Sequence, residues 1–230
     1  MNRKLLAAAA PLLLAAAPAW ADTPTGVAYA GGTVSDSASG YAGAVVSLPG
    51  ASLGHGLALR AGVGGGRYHY NAGATEITAD YASADLALVE QVSGSWGWAN
   101  FSAGPQFTHT RLSPVDLGNQ RRGSRWDAGL QTDGALDSPG WRLSWLGSYG
   151  VVDEEYQAQL ELGRKLGSKG LRLGIEGGIQ GDPSYRKLSG GAFVAASLGH
   201  DFEVQVSGGV SKERGQSSRG YASLSLAKVF

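Results

Sequence analysis

Leu57-Ala58-Leu59-Arg60-Ala61-Gly62-Val63-Gly64 is the stretch on which the reading of this chain turns. Leu57, Leu59, Ala61 and Val63 occupy every second position, with Ala58, Arg60, Gly62 and Gly64 between them. A period of two sends alternate side chains to opposite faces of a strand. The same pattern returns at Ala82–Leu88, Tyr156–Leu162, Leu171–Glu176 and Phe202–Ser207. In each case one face is apolar and the other carries charge, amide, hydroxyl or glycine. About twelve such segments are expected.

Alternation also describes a soluble sandwich, so the connections have to decide. Pro49–Gly56, Ser93–Trp96, Asp137–Gly140, Gly167–Gly170 and His200–Asp201 are mostly short and rich in turn formers. Asp36–Ser39, Asn71–Thr78, Arg111–Arg125, Val152–Glu154, Gly181–Lys187 and Lys212–Ser218 include the longest and most polar connections. Short turns at one end and longer loops at the other are the build of a bacterial outer-membrane barrel. Five turns and six loops join an even number of strands and bring both ends of the barrel to the short-turn, periplasmic side. The expected fold is therefore all-β: an antiparallel transmembrane β-barrel of about twelve strands. Its apolar face meets lipid.

The N-terminus supports export. Arg3 and Lys4 precede an apolar run from Leu5 to Ala17, Pro18 interrupts it, and Ala19-Trp20-Ala21 fits a small-residue cleavage site. We read 1–21 as a signal peptide cleaved after Ala21, and 22–230 as the barrel, placed in the bacterial outer membrane. Of 19 Lys+Arg, the two in the signal are lost, leaving 17 against 19 Asp+Glu. A net charge of −2 gives no electrostatic footprint for nucleic acid. The chain has no cysteine, so its stability must come from something other than disulfides, and a closed wall with every backbone group paired supplies it. Glycine, at 37 of 230 residues, falls within strand-like segments as well as turns. There it suits tight curvature and close backbone approach.

Aromatic residues gather where interfacial belts are expected. Trp96, Trp98, Trp141, Phe202 and Phe230 lie near the short-turn side, and Phe107, Trp126, Tyr149, Tyr156 and Tyr185 near the loop side. The chain closes on Phe230, and Lys228, Leu226, Leu224 and Ala222 precede it by twos. This resembles the C-terminal insertion signal of outer-membrane barrels, from which Lys228 departs.

Catalytic chemistry is sparse. His55, His69, His109 and His200 have no metal-ligand spacing, so no metal or cofactor is expected. His109 with Asp116 is the best pairing available to a lipid-modifying barrel enzyme. Charges of both signs fall on polar phases: Arg60, Asp85, Asp127, Arg142, Glu161, Arg164, Arg172, Glu176 and Glu203. These are candidates for the lumen, either as a brace between strands or as a polar track for a solute such as a sugar. Arg111, Arg121, Arg122 and Arg125 are candidates for contact with lipopolysaccharide phosphates.

Ala28-Tyr29-Ala30-Gly31-Gly32, Tyr41-Ala42-Gly43-Ala44-Val45-Val46, Leu48-Pro49-Gly50, Gly56-Leu57-Ala58-Leu59-Arg60 and Gly66-Arg67-Tyr68-His69-Tyr70 together resemble the cellulose biosynthesis protein BcsS family. Gly104-Pro105-Gln106 and Trp145-Leu146-Gly147-Ser148-Tyr149 are compatible with it. The resemblance implies a non-enzymatic accessory role in bacterial cellulose production. Its implied partners are outer-membrane lipid and either cellulose itself, a glucan, or the export apparatus. It carries over no catalytic residue. A small general solute channel and a lipid-modifying enzyme are the alternatives.

Overall fold

The computed structural model describes residues 24–167, 170–199 and 201–230; the segment expected to be a signal peptide and His200 lie outside them. Twelve strands follow one another: β1 Gly26–Val34, β2 Ala38–Ser47, β3 Gly56–Ala72, β4 Thr75–Gly94, β5 Gly97–Ser113, β6 Gly123–Asp137, β7 Trp141–Gly150, β8 Tyr156–Leu166, β9 Leu171–Gly181, β10 Arg186–Gly199, β11 Phe202–Glu213 and β12 Arg219–Val229. Each pairs antiparallel with its sequence neighbours, and β1 pairs with β12 to close the barrel. Closure removes the sheet edge, which is what permits a β-structure to stand in hydrocarbon. At the seam, the Phe230 carbonyl accepts the backbone N–H groups of Thr25 and Gly26, and the Phe230 N–H donates back to Gly26.

Phase follows the alternation. Leu57, Leu59 and Val63 are exposed on the outer wall while Ala58 and Arg60 are buried within it. Leu86, Leu88, Leu160, Leu162, Leu173, Ile175, Val206, Leu224 and Leu226 extend the apolar outer face. A belt forms at the loop end, where the rings of Phe107 and Trp126 lie 5.1 Å apart and Tyr149 pairs with Tyr156 across β7 and β8. Trp141, Phe202 and Phe230 face outward at the other end. Lys228 is accommodated there because its ammonium lies 5.1 Å from the centre of the Phe202 ring, a favourable cation–π arrangement.

Two belt assignments are corrected. Trp98 pairs with Ala135 and Ser93 on the inner phase, and Tyr185 turns into the mouth, hydrogen-bonded to Gln180. The loop boundaries change as well. Strands β3 and β4 continue to Ala72 and from Thr75, so Asn71–Thr78 is a tight hairpin with Gly73 at φ 64°. Its polar residues signalled a loop, but Ile77, Ala79 and Leu112 form a buried cluster with Tyr68 and Tyr70 that keeps the ribbon straight. At 17, 20 and 17 residues, β3, β4 and β5 exceed the ~9–11 needed to cross a bilayer and project beyond it. The longest connection shortens to Pro114–Arg122.

Glycines inside the strands seat aromatic rings. A Cβ at Gly31 would meet the Tyr41 ring, at Gly43 the Tyr29 ring, at Gly66 the Tyr81 ring, and at Gly163 and Gly174 the Phe193 ring. The rings lie over backbone where a side chain would otherwise stand.

Candidate functional site

Cross-strand register defines the lumen. The inner phase carries Arg60 on β3, Asp85 on β4, Asp127 on β6, Arg142 on β7, Glu161 on β8, Arg172 and Glu176 on β9 and Glu203 on β11. Arg164 is a correction. It pairs with Trp141, and both are exposed on the outer wall. Arg164 shares the phase of Leu160 and Leu162, and near the short-turn end of the barrel its long stem reaches the headgroup level. Lys165, one position on, holds the lumen place.

Counting by twos from Asp127 also reaches Asp133 and Asp137, which the sequence reading passed over.

The inner charges divide into two sets. Cations are paired. Arg60 Nε lies 3.2 Å from Asp85 Oδ2, and its Nη1 donates to Ser102 Oγ at 2.8 Å. Arg142 donates twice to Asp137, at 3.0 and 2.7 Å, and Lys165 reaches the same carboxylate at 2.6 Å. Arg172 reaches Glu203 at 2.5 Å. The second set, Glu161, Glu176 and Asp133, is held by neutral donors: Gln159 and Gln205 on Glu161, Tyr221 on Glu176, Asn100 and Gln131 on Asp133. Glu161 and Glu176 are direct cross-strand partners. The mid-lumen is thus acidic and rich in amides, with its positive charge already neutralised.

Arg60 is almost fully buried and the Asp85 side chain is 34% exposed. Removing either leaves the other without its partner, and the buried one suffers more. Asp85→Ala should therefore cost about 3 kcal/mol of unfolding free energy, at the low end of a broken buried pair. Arg60→Met should cost about 1 kcal/mol, because water screens the remaining carboxylate. Urea titration of the refolded barrel checks the order; equal losses would contradict it.

At the outer end the β5–β6 loop folds inward. Tyr70 donates to Asp116 and accepts from Asn119, each at 2.8 Å. Arg121 spans the mouth to Asp182 at 2.6 Å and Glu155 at 3.7 Å, joining three loops. Arg125, the first inward side chain of β6 after Gly123, pairs with Asp153 at 2.8 Å. Arg121 and Arg125 are therefore corrected as lipopolysaccharide contacts: carboxylates on neighbouring loops draw them into the mouth. Asp127 accepts the backbone N–H groups of Val152 and Asp153 and anchors the β7–β8 loop. Burial pushes the Tyr185 phenol up to about 12, so it remains a neutral hydroxyl near neutral pH. Beneath this cover lies a polar space of about 190 Å³ reaching from Arg60 to Gln180 on opposite sides of the barrel. Outside the rim, Arg111 and Arg122 line a groove of about 750 Å³ with Val115 and Leu117.

The three histidines among the described residues keep hydroxyl partners. His109 Nδ1 lies 2.9 Å from Ser124 Oγ on the outer wall, His55 Nε2 3.0 Å from Ser93, and His69 Nδ1 3.1 Å from Thr78 and 3.7 Å from Glu76. The pairing of His109 with Asp116 is corrected, since Asp116 is engaged by Tyr70. Among the described residues, no group of three His, Asp or Glu is placed to hold a metal ion.

A closed twelve-strand wall, apolar outside and polar inside, is the architecture of outer-membrane barrels. Solved barrels of that kind share it. The COG4313 outer membrane channel from Pseudomonas putida F1 aligns with a TM-score of 0.53 at 15% identity, over 90% of this chain and 96% of that one. The β domain of the Bordetella autotransporter BrkA aligns with a TM-score of 0.51 at 12% identity, over 91% and 100%. At such identities the likeness is one of fold. The chain belongs to the cellulose biosynthesis protein BcsS family, whose model matches residues 27–230. A search of curated proteins gives no match.

Proposed function

We propose that this barrel is a non-enzymatic accessory to cellulose production that meets the glucan, or the apparatus exporting it, at the outer membrane. Family membership over nearly the whole chain carries this reading. A lumen lined by hydroxyls, amides and carboxylates supports it, since such groups match a polyol chain. Arg111 and Arg122, flanked by exposed Val115 and Leu117, would hold lipopolysaccharide phosphates at the rim. Removing the protein should lower extracellular cellulose several-fold, while glucan synthesis by isolated inner membranes is unchanged. Unaltered extracellular cellulose would reject the accessory role.

A second reading, a small solute channel, is favoured by the polar space under the mouth. Planar-bilayer recordings separate the two, because a silent, correctly folded barrel removes the channel reading. The lipid-modifying enzyme has less support, since no carboxylate among the described residues hydrogen-bonds the ring of His109, the partner of Ser124.

A further inference from the structure

Tyrosine is distributed unevenly around the lumen. Tyr81 on β4, Tyr41 on β2 and Tyr29 on β1 occupy three successive inner levels, as the register shows: Tyr81 beside Gly66, Tyr41 between Gly31 and Gly64, Tyr29 beside Gly43. Each ring covers a neighbouring strand's glycine, so each lies against backbone on the inner side of the wall, and Tyr29 also packs on the buried Val45, Ala58 and Val89. Tyr29 and Tyr41 are 6.3 Å apart between ring centres, and Tyr68 continues the row 6.3 Å above Tyr81. Tyr41 remains 49% exposed, although buried aromatics elsewhere in the wall are packed away. Six strands round the ring from β2 stands β8, and six from β3 stands β9. These carry Glu161 and Glu176, the carboxylates without a cation.

We infer that the inner wall of β1–β4 is a docking track for a neutral, extended glucan. A pyranose ring has C–H groups on its faces and hydroxyls around its rim. Flat tyrosine rings meet the faces, while Glu161, Glu176 and the amides beside them accept from the rim. An anionic glycan of the same length is rejected, because its carboxylates would face Glu161 and Glu176, while Arg60, Arg142, Lys165 and Arg172 are already taken up by Asp85, Asp137 and Glu203. This deepens the reading of the barrel as a glucan-facing accessory and rests on it for the identity of the chain, but its own geometry is testable separately.

The test is calorimetric titration of the refolded full-length barrel in detergent with cellohexaose, and with hexagalacturonate as the anionic probe. Cellohexaose should bind about tenfold or more tightly than hexagalacturonate. Tyr41→Leu should weaken cellohexaose about tenfold, and Tyr41→Phe should change it less than about threefold, since the ring is kept. The double variant Glu161→Gln/Glu176→Gln should narrow the preference against the anionic probe. Heat-modifiable gel migration reports folding, and Tyr29→Leu, one level down, replaces Tyr41→Leu should that variant fail to fold. No cellohexaose binding by folded wild type, or equal binding by the Tyr→Leu variant, overturns the track and assigns the rings to glycine cover alone. Cellulose loss on deletion without oligosaccharide binding would reject the track and leave the accessory role standing. Binding without any effect of deletion would do the reverse.

Discussion

Arg121→Ala should free the β5–β6 loop from the barrel mouth and raise tryptic cleavage after Arg122 by about 30-fold. The size follows from what the substitution strands. Asp182 is 3% exposed in its side chain and loses its guanidinium partner. Breaking a buried pair costs about 3–5 kcal/mol. Asp182 keeps donors from Ser184 N, Ser184 Oγ and Tyr185 N, so we expect about 2 kcal/mol, which is the 30-fold ratio. The Asp116–Tyr70–Asn119 hydrogen bonds persist, and the strands themselves should stay protected. Mass-spectrometric mapping of the fragments reads the result directly. Equal protection in wild type and variant would mean that Tyr70 alone pins the loop. If the lumen conducts, the same variant should carry more current, because Arg121 joins three loops across the mouth.

Gly104→Val should prevent the barrel from folding, whereas Gly177→Val should leave it folded. A Cβ at Gly104 would run into the Leu86 carbonyl oxygen and the Ala87 Cα, both backbone atoms of β4. No flexible side chain stands there to give way. Pro105 follows without an N–H to donate, and the pairing of β4 with β5 is already interrupted at Leu86–Ala87 opposite Gly104–Pro105. Overpacking usually costs about 1–3 kcal/mol and more when backbone must move; here it also disrupts closure of the wall. At Gly177 the nearest foreign atom to a Cβ is the Ser189 carbonyl oxygen at 3.9 Å. That position pairs with Leu160 on the lipid side, where valine adds apolar surface and β-propensity. Refolding yield by heat-modifiable migration distinguishes the two. A folded Gly104→Val barrel would show that β4 and β5 can separate without loss of the cylinder.

The inner hydrogen-bond network could be read from sequence only in part. Phase alone places Arg60, Asp85 and Glu161, because alternation is a local property of the strand. It also puts Arg164 outward, two positions beyond Leu162 on the lipid-facing phase, and the register opposite Trp141 agrees, so its placement in the lumen misapplied the alternation rather than exposing a limit of it. Phase alone overlooks Tyr29, Tyr41 and Tyr81. Their signal, an aromatic on the polar phase opposite a glycine on the adjacent strand, becomes visible once the pairing is known. Arg121 and Arg125 looked like surface cations because a loop's direction is set by partners far away in sequence, here Asp182 and Asp153.

By itself, the order of residues determined that this chain is a closed antiparallel barrel with an apolar outside, because side-chain period, turn spacing and a terminal aromatic are all short-range. Only the tertiary structure decided which charges neutralise one another, which glycines seat rings, and that the longest loop turns inward rather than toward lipid. Those outcomes depend on contacts between elements up to four strands apart round the wall, and the energy of such contacts is fixed by register and closure rather than by neighbours along the chain.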